Sequence, residues 1–148
     1  MNTDKPLVAI LIGMICTIPF QLFTMVTKYM GLSKYTLYQL DSFAVTGNRP
    51  VPVIGIIVSS IVAGFIAFVL YYGINKVGSD YLILKSAFLS LFVWAVLEFF
   101  LTVTLEGKTF PYRPVSGYLA EFLGAIFFGV VLGLAFKRYL IETTVKTK

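Results

Sequence analysis

Residues 115–136 read VSGYLAEFLGAIFFGVVLGLAF, a run with one charged side chain, Glu121, and with small residues recurring at helical spacing. A bilayer core about 30 Å thick is crossed by roughly 20 apolar residues rising 1.5 Å each, so this run is long enough to span it. Three further stretches of the same kind lie at about residues 7–29, 51–74 and 82–105. The pattern predicts an all-α polytopic membrane protein, a four-transmembrane-helix bundle forming a single integral membrane domain over residues 1–148. The segments between the spans are too short to fold around a second core.

Composition agrees. The 148-residue chain is 58% hydrophobic and 13% charged, with a mean hydropathy of +0.89, whereas soluble domains carry about 25% charged residues. The net charge of +5 fits anchoring at a lipid surface and argues against nucleic acid, because no soluble basic face exists to present. The first span follows Lys5 and is too long for a signal-peptide core, so it reads as an uncleaved signal anchor. Positive charge is retained on the cytoplasmic side. Lys5, Lys76, Lys85, Lys137, Arg138, Lys146 and Lys148 would share one side, and Lys28, Lys34, Arg49, Lys108 and Arg113 the other. The expected location is the cell membrane, with both termini cytoplasmic. All nine tyrosines fall near the proposed membrane edges, where an amphipathic ring is most stable.

The first loop is the longest. From Ser33 to Val45 it carries Leu37, Leu40 and Ala44 at helical spacing, with Ser33 as a cap and Gly47 as a stop, which predicts a short interfacial helix facing those three inward. The alternative is an irregular loop with interfacial aromatics.

Small residues suggest how the spans pack. Gly55, Ser59, Ala63 and Ala67 recur every fourth position in the second span; the fourth carries Ala120 and Gly124 on one face and Ala125, Gly129 and Gly133 on a neighbouring one. Such faces let helix backbones approach closely, which drives association where lipid removes the hydrophobic incentive. With two faces on the last helix, one is available for a second copy of the chain, or both are used within the monomer.

The polar side chains inside the spans carry most of the functional information. At 1.5 Å per residue, Gln21 lies about 12 Å below the outer end of its helix, Glu98 about 10 Å and Glu121 about 9 Å, with Ser59 and Ser60 at about 12–14 Å. Every span thus contributes a polar group to one layer. Carboxylates at such depth are costly to ionise and repel each other, so they call for a proton, a cation or a basic partner. Lys108 and Arg113, in the short loop between the last two spans, are the nearest bases and would neutralise the pair by reaching down to it. Pro19 would kink the first span just before Gln21.

Other chemistry is excluded or unsupported. There is no histidine, and Cys16 is the only cysteine, which removes imidazole chemistry and intrachain disulfides. No nucleophile–base pair, phosphate loop or metal cluster is evident, so neither an enzyme nor a cofactor is expected. The segment Lys76-Val77-Gly78-Ser79-Asp80-Tyr81-Leu82-Ile83-Leu84-Lys85, the four-span layout and the glycine-spaced last helix resemble small uncharacterised membrane proteins of Gram-positive spore-forming bacteria, of the YqhR-like kind. That resemblance implies a fold and a location, and no activity. Two functions therefore stand for the chain. One is a non-enzymatic scaffold or accessory subunit that packs through its small-residue faces, as a homo-oligomer or with a membrane-complex partner. The other is a small proton- or cation-linked channel or transporter using the layer of Gln21, Glu98 and Glu121.

Overall fold

The computed structural model describes residues 4–141. Helix α1 (Lys5–Ile15) and helix α2 (Thr17–Tyr29) together make the first long helix, broken at Cys16. Proline has no N–H and its ring crowds the carbonyl four residues back, so Pro19 leaves Ile15 without a helical partner and the axis breaks there. The Thr17 hydroxyl adds to the bend by donating to the Met14 carbonyl at 2.7 Å.

Helix α3 (Leu37–Thr46) follows, then α4 (Pro52–Val77), α5 (Leu82–Thr104) and α6 (Val115–Phe136), which runs into one π-helical turn over Lys137–Ile141. Four of these helical segments, Lys5–Tyr29, Pro52–Val77, Leu82–Thr104 and Val115–Leu140, are long and apolar enough to cross a membrane. The chain is a multi-pass, all-helical membrane bundle.

The short α3 helix begins later than Ser33. Its cap is Thr36, in a capping box with Gln39, and the Ser33 hydroxyl instead donates to the Tyr35 carbonyl. Gly47 ends the helix in the left-handed region, at φ +72°, where a glycine carries no Cβ penalty. Leu40 is buried as expected, but Ala44 is exposed and Phe43 takes the inner position. The helix packs closely on the bundle: Gly55 of α4 lies directly against the Tyr38 backbone carbonyl.

Small residues set the other helix contacts. A Cβ on Gly13 would meet Ala63 and Ala67 at 2.5 Å, so α1 lies close against the small-residue face of α4. A Cβ on Gly129 would come within 2.5 Å of the Ala87 Cα, and beside it the Ser86 and Ser90 hydroxyls donate to the carbonyls of Gly129 (2.6 Å) and Ala125 (2.8 Å). On the neighbouring α6 face, Gly124 receives the Phe20 ring of α2, with Phe23 stacked on Phe127 at 5.4 Å. Both small-residue faces of α6 are thus filled by helices of the same chain.

Gly129→Ala puts a methyl against backbone atoms, which cannot yield as a side-chain tip can. It should cost about 1–3 kcal/mol, whereas Gly73→Ala, with nothing within 4 Å of the added carbon, should leave stability equal or higher. Thermal unfolding of both variants in mild detergent checks this.

Candidate functional site

The loop between α5 and α6 folds back on itself through the Gly107 N–H, which donates to the Phe110 carbonyl at 2.8 Å. Phe110 is buried, stacked on Phe43 of α3 with ring centroids 4.6 Å apart. That anchor aims the next basic residue, Arg113, down into the bundle.

Arg113 is the hub. Its backbone N–H donates to Glu106 Oε1 at 2.6 Å, and Nη2 reaches Glu106 Oε2 at 3.2 Å. Nη1 contacts both Glu121 oxygens at 2.8 and 3.0 Å, and Nη2 also donates to Glu98 Oε1. Tyr118, one turn before Glu121, donates its hydroxyl to Glu106 at 2.6 Å and lays its ring 4.6 Å from the guanidinium carbon. Side-chain exposure is 2% for Arg113, 0% for Glu106, 9% for Glu121 and 12% for Glu98, so these charges interact through little water.

The electrostatics of the loop residues follow. Burial by itself would favour loss of the Arg113 proton, but the charges of Glu121 and Glu98 and the bonds to Glu106 overcome it and hold the guanidinium above its ordinary value. Burial also opposes a charge on Glu106, yet the Tyr118 hydroxyl and Arg113 together keep its carboxyl below the usual range. With all groups ionised, three carboxylates face one guanidinium and the cluster keeps a formal excess of two negative charges.

Gln21 belongs elsewhere. Its side-chain oxygen accepts the Tyr38 N–H at 3.2 Å, and the Thr24 hydroxyl one turn on accepts the Leu37 N–H at 3.0 Å. Both satisfy orphan donors at the start of α3, which a helix tucked into apolar surroundings cannot leave to water. Lys108 does not pair with the glutamates either, because its ammonium donates to the Val103 carbonyl at 2.8 Å. Of the two serines, Ser59 meets the site and Ser60 does not: the Ser59 hydroxyl donates to Asp41 of α3.

Between these groups lies a cavity of about 90 Å³. Asp41, Ser59, Glu98 and Glu121 reach its wall, which is otherwise mostly hydrocarbon and aromatic, including Phe20, Trp94 and Phe128. Asp41 has no salt bridge among the described residues, and burial, partly opposed by the Ser59 bond, pushes its carboxyl up to about 6. Trp94 packs edge-to-face on Phe122 at 5.6 Å, and its buried Nε1 finds no acceptor among the described residues. No group of three acidic or cysteine side chains among the described residues is spaced to hold a metal ion.

Sequence reasoning singled out Glu98, Glu121 and Arg113, which the fold brings together, and passed over Glu106 and Asp41. Asp41 could have been found from its spacing, since Leu37, Leu40 and Asp41 share one helical face. Glu106 had no such signal, because Glu-Gly-Lys-Thr reads as a solvated turn. No protein-family model, no curated protein and no solved structure matches this chain.

Arg113→Gln strands three buried carboxylates and should cost about 3–5 kcal/mol, while Tyr118→Phe, which removes one hydrogen bond, should cost about 1 kcal/mol; equilibrium unfolding in mixed micelles separates the two. For Asp41 the raised value means that its neutral form is favoured by folding. Its contribution is full below about pH 4, the ordinary aspartate range, and is lost as pH rises through about 6. The difference in melting temperature between wild type and Asp41→Asn should therefore shift between pH 4 and pH 7, and a difference constant over that interval would contradict the assignment.

Proposed function

We propose that the protein is a small proton- or monovalent-cation-linked membrane carrier, working from the cavity between α3, α4, α5 and α6. One observation carries this: of the chain's seven acidic residues, Glu98, Glu106 and Glu121 share one guanidinium at the α3 end, and Asp41 lines the same cavity as Glu98 and Glu121. A helix clamp needs one carboxylate for one arginine. The surplus charge in a low-dielectric setting has to be met by a proton or a cation, and groups of that kind within membrane helices mark ion and proton pathways. In this reading the termini are cytoplasmic, following the distribution of basic residues, and the α3 end faces outward in the cell membrane.

A scaffold or accessory role is the second reading. The small-residue faces no longer favour it, since they are filled within the chain. Support comes instead from α5, whose Phe88, Phe92, Phe99 and Val103 form an exposed apolar surface suited to lipid or to a partner helix in a homo-oligomer or larger complex.

Reconstitution in liposomes with a pH-sensitive dye inside distinguishes the two. Under an imposed pH gradient the wild-type protein should dissipate the gradient well above empty liposomes, and Glu98→Gln and Glu121→Gln should lower that flux at least tenfold. Equal flux for wild type and both variants, or none above empty liposomes, would remove the carrier, and a stable complex recovered in mild detergent would then favour the scaffold.

A further inference from the structure

We infer that the cavity is a binding site for a single-chain primary ammonium amphiphile, with its head among Asp41, Glu98 and Glu121 and its alkyl chain passing out beside α5 into lipid. This deepens the carrier reading by naming a class of ligand for the same cavity.

Size limits the occupant first. About 90 Å³ holds on the order of three waters at roughly 30 Å³ each, which suits a small head and excludes a bulky one. Charge then selects its sign. Arg113 is divided among Glu98, Glu106 and Glu121, and among the described residues Asp41 has a hydroxyl partner in Ser59 and no salt bridge. An ionised carboxylate only accepts hydrogen bonds, and a primary ammonium carries three donors and no acceptor, so the two sets match. An anionic head would face the same carboxylates at close range and be rejected.

The rest of the wall accounts for an alkyl chain. Phe20, Leu40, Val93 and Phe128 line the cavity with hydrocarbon, where a chain gains about 0.8 kcal/mol for each buried CH₂ when it leaves water. Leu97 lines the cavity and is 39% exposed, and the exit for the chain is placed beside it along α5. The seam between α4 and α5 is loosely packed compared with the α5–α6 and α1–α4 seams. The two helices are joined by the short turn at residues 78–81, and both contribute residues to the cavity wall.

The chain contains its own reporter. Trp94 is the only tryptophan and lines the cavity, so its fluorescence responds to occupancy. Full-length protein in mild non-ionic detergent would be titrated with hexylammonium, hexanol and hexanoate. Hexylammonium should give a saturable change that hexanol and hexanoate do not. Asp41→Asn should weaken it about tenfold, the loss expected for one charge-assisted bond, and Leu97→Phe should weaken hexylammonium more than methylammonium by narrowing the exit for the chain. An equal response to hexanol, no saturable response, or unaltered affinity in an Asp41→Asn protein that unfolds at wild-type temperature would each overturn the inference. The flux assay is separate. Ammonium binding without glutamate-dependent flux removes the carrier and leaves this site, whereas flux without ammonium binding removes this site and leaves the carrier.

Discussion

The Arg113 guanidinium, shared by Glu98, Glu106 and Glu121, is the constraint on which the α3 end of the bundle depends. Taking a guanidinium and three carboxylates out of water costs several kcal/mol per ion, and only close, multiple hydrogen bonds offset that. The contacts meet the requirement by drawing in the last turns of α5, the loop and the first turns of α6 together. Because the loop carries both Arg113 and Phe110, the same ion cluster fixes the aromatic stack on Phe43 and hence the position of α3. A purely apolar end could pack as tightly, but it would not hold a loop, two spanning helices and a tucked helix in one arrangement.

The rest of the bundle is held by a different principle. In lipid, apolar side chains gain nothing from meeting each other rather than a lipid tail, so association rests on close backbone approach and on hydroxyls that donate across the interface. Gly13 against Ala63, Gly129 against Ala87, and Ser86 and Ser90 on α6 carbonyls are instances of that. Packing of this type is dense where small residues face each other. Toward the α3 end the cavity wall of α5 changes to the larger Trp94, Leu97 and Leu101, and α4 is met there by α3 rather than by α5. The cavity sits where the close-packed seams give way to the ion cluster.

How much of this was legible in the sequence depends on the range of the interaction. Span number and approximate limits follow from local composition, and so does the break at Cys16, because the effect of Pro19 reaches only four residues back. The α3 helix is written in its cap and stop residues, but its close packing on the bundle depends on Gly55 and on Gln21 and Thr24 satisfying its first N–H groups, contacts between segments that no local pattern encodes. Depth counting put Gln21, Glu98 and Glu121 in one layer. Equal depth does not fix the direction in which a side chain points, and Gln21 turns to α3 while the glutamates turn to Arg113. The choice between Lys108 and Arg113 was likewise settled by the fold of the loop. Lysine next to a helix end has a free carbonyl within reach, and a planar guanidinium suits several carboxylates at once.

In the carrier proposed above, proton and cation uptake would not be independent. Glu98, Glu106 and Glu121 share one guanidinium, so in the proposed carrier a proton and a cation entering the cavity would answer to the same surplus negative charge. Linkage makes this reciprocal: whatever factor the cation applies to proton release, the proton applies to cation release. Asp41 extends the same coupling to α3, because its carboxyl lines the cavity while its bond to Ser59 joins α3 to α4. The group that takes part in the charge balance is therefore also one that holds the short helix in place. A change of occupancy in the cavity would reach α3 directly, since Leu37, Leu40 and Asp41 all line it.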